Sequence, residues 1–225
     1  MLTGLQASIV DAKNMLNLYL VAYNLRPAAR LEILLGYKCL IPEKKEIGIV
    51  KSITETIEKG GISCTHQRFL ETYIHLNNAG YFSYAEQEII YHFLVGTNKE
   101  NLEKLLNAKN PIEEGLALGY PKEAVDAFGQ VIESERRDGG YMVRRLIDAV
   151  SAGMEIPEWF GYISHIPERF NIVTNDVSET SKALGEKYRA FVKQNNPELA
   201  LRIQKSLADT RQWAVSMASK KNEIA

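Results

Sequence analysis

Apolar residues recur along this chain in two rhythms, and the change from one to the other organises the rest. From Leu5 to Tyr23 the positions Leu5, Ile9, Ala12, Leu16, Tyr19, Leu20 and Tyr23 fall at steps of three and four, the spacing of one helical face. Asn24 to Arg26 interrupts that spacing, and Pro27 stands where a helix can begin without losing a hydrogen bond. A second helix is therefore predicted from Pro27 to about Leu35, ending at Gly36. A third begins after Pro42, runs through Ile47, Val50, Ile53 and Ile57, and stops at Gly60-Gly61.

Beyond those glycines the segments shorten and become rich in β-branched and aromatic residues. Ile62-Ser63-Cys64-Thr65, Phe69 to Leu76 and Glu88 to Val95 read as strands bounded by turn formers. Ile89 to Val95 is apolar on both faces except at His92, the pattern of a central strand covered on two sides. Asn77-Asn78-Ala79-Gly80 is a turn cluster that Tyr81 to Gln87 extends, which links the strands as a long antiparallel hairpin. A helix over Gln67 to Leu76 is the competing reading.

After Gly96 the helical spacing returns. Asn98 is placed to cap a helix through Leu102, Leu105 and Leu106, Pro111 opens the next segment, and Gly119-Tyr120 breaks it. Pro121 starts another helix with Ala124, Val125 and Phe128. Arg136 to Gly140 reads as a turn, Tyr141 to Ala152 as amphipathic, and helices follow over about Ser178 to Gln194 and Pro197 to Met217, with a frayed tail from Ser219. The pattern predicts an α+β fold, predominantly helical, with a small antiparallel sheet at about residues 62–95. It is expected to form one domain: N-terminal helices over 1–60, the sheet over 61–97 and a helical part over 98–218.

Composition narrows the function classes. With 225 residues, 45% hydrophobic and 24% charged, the chain can bury a core unaided. Lys and Arg (27) nearly cancel Asp and Glu (28), so the net charge of −1 creates no global field for nucleic acid or an anionic membrane. Cys39 and Cys64 are two isolated thiols with no secretory leader ahead of them, expected as small core residues in a reducing compartment. No stretch approaches the roughly 18 uncharged apolar residues of a membrane helix, so the expectation is a cytoplasmic protein without a membrane partner.

Candidate chemistry is sparse. His66, His75, His92 and His165 are too dispersed for metal-ligand spacings, and no glycine-flanked serine or phosphate-binding loop occurs. Cys64 and His66 share a face if they lie on a strand, but no third group orients them. Arg26 and Arg30, four apart on the predicted second helix, share a face suited to a carboxylate, a phosphate or a buried acid. Arg144-Arg145 beside Glu133 to Arg137 forms either a solvated charged face or, with Arg144 or Arg145 turned inward, an anion pocket. Trp159, Phe160, Tyr162 and Phe170 flank Ser164-His165-Ile166-Pro167, an apolar loop around a titratable group. It is either packed core or the lip of a cleft.

Several of these elements also form a set. Asn24-Leu25-Arg26-Pro27-Ala28-Ala29-Arg30, Gly119-Tyr120-Pro121, Ser164-His165-Ile166-Pro167 and Ser181-Lys182-Ala183-Leu184-Gly185, in this order, resemble a largely archaeal family known only as domain-of-unknown-function family 483. The resemblance spans about residues 20 to 205. Many members carry paired cysteines after the Gly-Tyr-Pro element, where this chain has Lys122, Glu123 and Ala124. They carry more after the Ser-His-x-Pro element, where it has Glu168 and Arg169 to Val177. For those members the resemblance implies zinc or iron–sulfur ligation; for this chain it implies the fold and a cytoplasmic origin, with no metal and no cofactor. Glu123 and Glu168 alone, without histidines, make a poor site for a harder ion.

Three functions emerge as expectations. The first is a noncatalytic binding or regulatory protein that self-associates or docks on a protein partner. The second is an enzyme for a small anionic metabolite, with His165 as acid or base, Tyr120 as donor and Arg26, Arg30 or Arg145 holding the anion. The third is an RNA-binding domain stacking bases on Tyr73, Tyr91 or Phe93.

Overall fold

The computed structural model describes residues 10–76, 82–129, 147–148, 150–153, 155–165, 170–171 and 176–224; over 73–76, 82–85, 170–171, 176–177, 218 and 220–224 the description is of the backbone. The fold is α+β and mainly helical, with seven α-helices and a three-stranded antiparallel sheet among those residues. The chain divides into two compact units, Met1–Ala108 and Lys109–Ala225.

In the first unit, α1 spans Ala12–Ala22 and begins at Asp11, whose carboxylate accepts from Asn14 N and so satisfies an otherwise open helix-end donor. The chain then departs from expectation: the segment predicted as a second helix is strand β1, Ala28–Tyr37. Its residues alternate, with Ala29, Leu31 and Ile33 buried and Arg30, Glu32 and Leu34 exposed. Period-two burial against a sheet overrides the helix propensity of Ala, Leu, Arg and Glu. Gly36, at φ 123°, accommodates a register shift in this strand between Leu34 and Gly36. A single 3₁₀ turn, Lys38–Leu40, leads to α2, Glu43–Lys59, which buries Glu46, Val50, Ile53 and Ile57 on one stripe.

Strands β2 (Ser63–Leu76) and β3 (Phe82–Gly96) form the expected long hairpin, but β2 is continuous and β3 starts at Phe82, so 82–87 is strand rather than turn. The strand order is β1-β3-β2, which places β3 at the centre as its apolar pattern requires. The sheet extends beyond 62–95 because β1 joins it from the N-terminal part. One face carries Ala29, Leu31, Ile33, Ile89, Tyr91, Phe93 and Val95. It packs with Val10, Leu18 and Val21 around α1 and with Val50, Ile53 and Ile57 of α2, and this is the core of the unit. Asn98 caps the last helix, α3 (Lys99–Leu106), by accepting from Asn101 N.

In the second unit, α4 (Pro111–Ala117) is capped by Asn110, and α5 (Lys122–Gly129) follows Pro121. A 3₁₀ turn, Glu158–Tyr162, precedes two short paired strands, β4 (Phe170–Asn171) and β5 (Asp176–Val177). Helices α6 (Glu179–Asn195) and α7 (Pro197–Ile224) complete the unit, and α7 continues through the tail expected to fray. Gly185 lets α6 approach that 3₁₀ turn: a Cβ there would lie 2.8 Å from Trp159 O. The turn predicted at Arg136 to Gly140 lies outside the described residues.

Candidate functional site

Of the ligand-binding candidates, Arg26 and Arg30 are no longer neighbours on a helix. Arg26 precedes β1, is buried, and donates from Nη1 to Asn17 Oδ1 at 2.7 Å. Arg30 lies on β1, exposed on the sheet face opposite the core. The shared helical face that motivated the pair does not exist, because the sheet claims this segment. Arg145 lies outside the described residues.

Tyr120 and His165, in the second unit, do come together, with ring centroids 5.3 Å apart. His165 Nε2 lies 2.9 Å from Ser181 Oγ, and Ser181 N donates to Ser178 Oγ, the N-cap of α6. This polar chain is enclosed. His165 is 6% exposed, Ser178 and Ser181 are at 0%, and Trp159, Tyr162 and Ile163 of the same segment are buried as well. Its described part is a packed core in which the imidazole ties the 158–165 segment to the first turn of α6.

Two carboxylates that sequence reasoning missed organise more of the structure. Glu158 accepts from Arg189 at 2.9 Å, Lys193 at 2.8 Å and Gln204 at 2.6 Å, joining the 3₁₀ turn to α6 and α7. Bonds from Lys193 and then Gln204 hold its carboxyl down at about 2 against the cost of burial. Glu46, buried on the core stripe of α2, accepts from Arg68 Nε at 2.5 Å and from the Tyr91 hydroxyl at 2.8 Å. The Arg68 bond is the main cause of its lowered carboxyl pKa. The signal for Glu46 was legible, since it lies four residues before Val50 on the stripe that continues through Ile53 and Ile57.

The Cys64–His66 pair gains no chemistry from its strand. Burial, then the Glu58 charge, pushes the Cys64 thiol up to about 12, and the His66 ring lies 5.4 Å from Phe93. Cys39, expected in the core, is exposed. Among the described residues no three His, Cys, Asp or Glu side chains converge as a metal site, and no helix is long and apolar enough to cross a membrane. Tyr91 and Phe93, expected as stacking platforms, are buried on the covered face of the sheet; the Tyr73 side chain lies outside those described.

The two margins of the sheet differ. At the β1 margin, Asn14 of α1 behaves like a neighbouring strand: its Oδ1 accepts from Glu32 N at 3.1 Å and its Nδ2 donates to Glu32 O at 2.5 Å. At the β2 margin no described strand pairs the outer side, and residues 66–72 are all exposed. Phe69 (36% exposed) and Leu70 (38% exposed) point to opposite faces there, and Phe69 stacks on His92 at 4.4 Å.

No family model matches this chain, and comparisons with curated proteins and with solved structures find no match either.

Proposed function

We propose that this is a cytoplasmic, noncatalytic binding protein whose docking surface is the outer margin of β2. The observation that carries this reading is the run of exposed residues 66–72 on an outer strand whose opposite counterpart is capped by Asn14. An open strand margin offers rows of main-chain donors and acceptors to an extended partner, while flanking side chains select it. The test is selection of peptide ligands by the full chain, followed by binding to a Phe69→Lys, Leu70→Glu variant. Binding should weaken by roughly tenfold or more. If no peptide is selected, or the variant binds equally well, the reading fails.

One observation favours the second reading, an enzyme for a small anionic metabolite: Tyr120 and His165 do converge. Against it stands the burial of His165, Ser178 and Ser181. An acid or base must reach the proton it moves. Turnover of a carboxylate or phosphate substrate that His165→Asn abolishes at unchanged Tm would establish it, and no turnover across such a panel by the native chain removes it.

A further inference from the structure

Strand β2 is lightly protected against pairing: its charged side chains are Arg68, turned to Glu46, and Glu71, and its register shifts only at its far end, between His75 and Leu76. Ser63–Leu76 contains neither lysine nor proline, and its register with β3 is unbroken until His75. Protected margins use charge, proline, a bulge or a cover. The β1 margin has two of these, the shift at Gly36 and the Asn14 cover.

We infer that the partner is a second copy of this chain, adding antiparallel to β2 about a two-fold axis perpendicular to the sheet at Phe69. The inference rests on the reading of β2 as the docking surface. Such an axis preserves the faces of the sheet, so each residue meets one of the same parity in the other copy. That rule makes the alternatives few. An axis at Arg68 or Glu71 sets like charges against each other. At Leu70 it sets each Phe69 against a Glu71. At Gln67 the overlap shrinks to Ser63–Glu71 and Phe69 faces Thr65. With the axis at Phe69, the two rings meet each other, and each Gln67 amide faces the Glu71 carboxylate of the other copy. The overlap then runs from Ser63 to His75, almost the whole strand.

The Phe69 side of this pairing is the sheet face that also carries Glu32, Leu34 and His92, with His92 Nε2 3.5 Å from Glu32. On the other side Arg68 meets Leu70 of the second copy while remaining bonded to Glu46. Among the described side chains, the pairing therefore asks no buried group of either copy to give up a partner.

Sedimentation of the full chain from micromolar to millimolar concentration tests this. The native protein should pass from monomer to dimer, and Phe69→Asp, which sets two carboxylates together on the axis, should remove the dimer across that range. Gln67→Lys, facing Glu71, should tighten association by roughly three- to tenfold, and Gln67→Glu should loosen it by a similar factor. A gain from Gln67→Lys that stops at the dimer, at unchanged Tm, separates specific pairing from association of misfolded chains. A monomer throughout, or a dimer indifferent to these changes, overturns the inference. In that event, peptide binding still lost in the Phe69→Lys, Leu70→Glu variant shows that strand addition stands and only the identity of the partner was wrong; insensitivity there removes both.

Discussion

The two outer strands of the sheet are built from the same backbone yet face different problems. At β1, a helix lies alongside and a single asparagine supplies both a donor and an acceptor to Glu32, so at that residue the margin ends in satisfied hydrogen bonds. At β2, one face is anchored by the Arg68 bond to Glu46, while the rim carries seven exposed residues, 66–72, in sequence. Margins are closed by elements that cross them, and among the described residues α1 does so at Glu32 of β1. The contrast shows that an outer strand can be firmly held through its face and still be open at its edge.

The contrast breaks most severely at Asn14. Replacing it with Leu keeps the branched skeleton and leaves the N–H and C=O of Glu32 without their side-chain partner, at a cost of about 2–3 kcal/mol. The expected readout is a Tm lowered by roughly 5–10 °C. Exchange of the Glu32 amide should accelerate toward that of the outward-facing amides of 63–72. A Tm unchanged by Asn14→Leu would mean that the β1 margin is no better closed than β2.

A smaller effect is expected at the anchored face of β2. Glu46→Gln removes the charge that Arg68 and Tyr91 address, at about 1–2 kcal/mol, less than for a fully enclosed ion pair because Arg68 can turn to water. The carboxyl of Glu46 lies below its usual 4.5, chiefly through Arg68. Its contribution is therefore complete above about 4.5 and is lost as pH falls through the lowered folded value. Glu158, held at about 2 by Lys193 and Gln204, behaves the same way in the second unit, losing its contribution between about 4.5 and 2. Acid unfolding followed by circular dichroism should steepen below about pH 4.5 for the native chain and be shallower in Glu46→Gln and in Glu158→Gln. Parallel curves would show that these carboxylates do not hold their elements.

The smallest change in stability is predicted at the bare rim. Phe69→Lys should alter unfolding free energy by less than about 0.5 kcal/mol, since the ring is exposed and leaves no cavity. The same substitution should suppress association. A large loss of stability would instead mean that Phe69, through His92, belongs to the fold rather than to an interface.

Much of the fold is legible in the order of residues alone. The stripe of α2, the doubly apolar β3, the cap at Asn98, the start of α6 near Ser178 and the helix after Pro121 all arise from local patterns whose causes lie within a few residues. An enzyme reading requires Tyr120 and His165 to converge; they do, though in a packed setting. Two features were hidden for different reasons. Leu31, Leu34 and Leu35 satisfy helical spacing while Ala29, Leu31 and Ile33 satisfy alternation, so only the presence of β3 decides that Ala28–Tyr37 is a strand. The partners of Glu158 lie 31 to 46 residues away in sequence, beyond any local rhythm.

By itself the sequence determined the class of fold, the position of most helices and the central strand, because helix caps and apolar periodicity are short-range physics. Only tertiary structure decided that β1 exists, that His165 is buried beside Tyr120 and Ser181, and that, among the described residues, one margin of the sheet meets Asn14 while the other carries a run of exposed residues. Those outcomes depend on which surfaces meet, and a hydrogen bond or a buried face has no meaning until its partner from elsewhere in the chain has arrived.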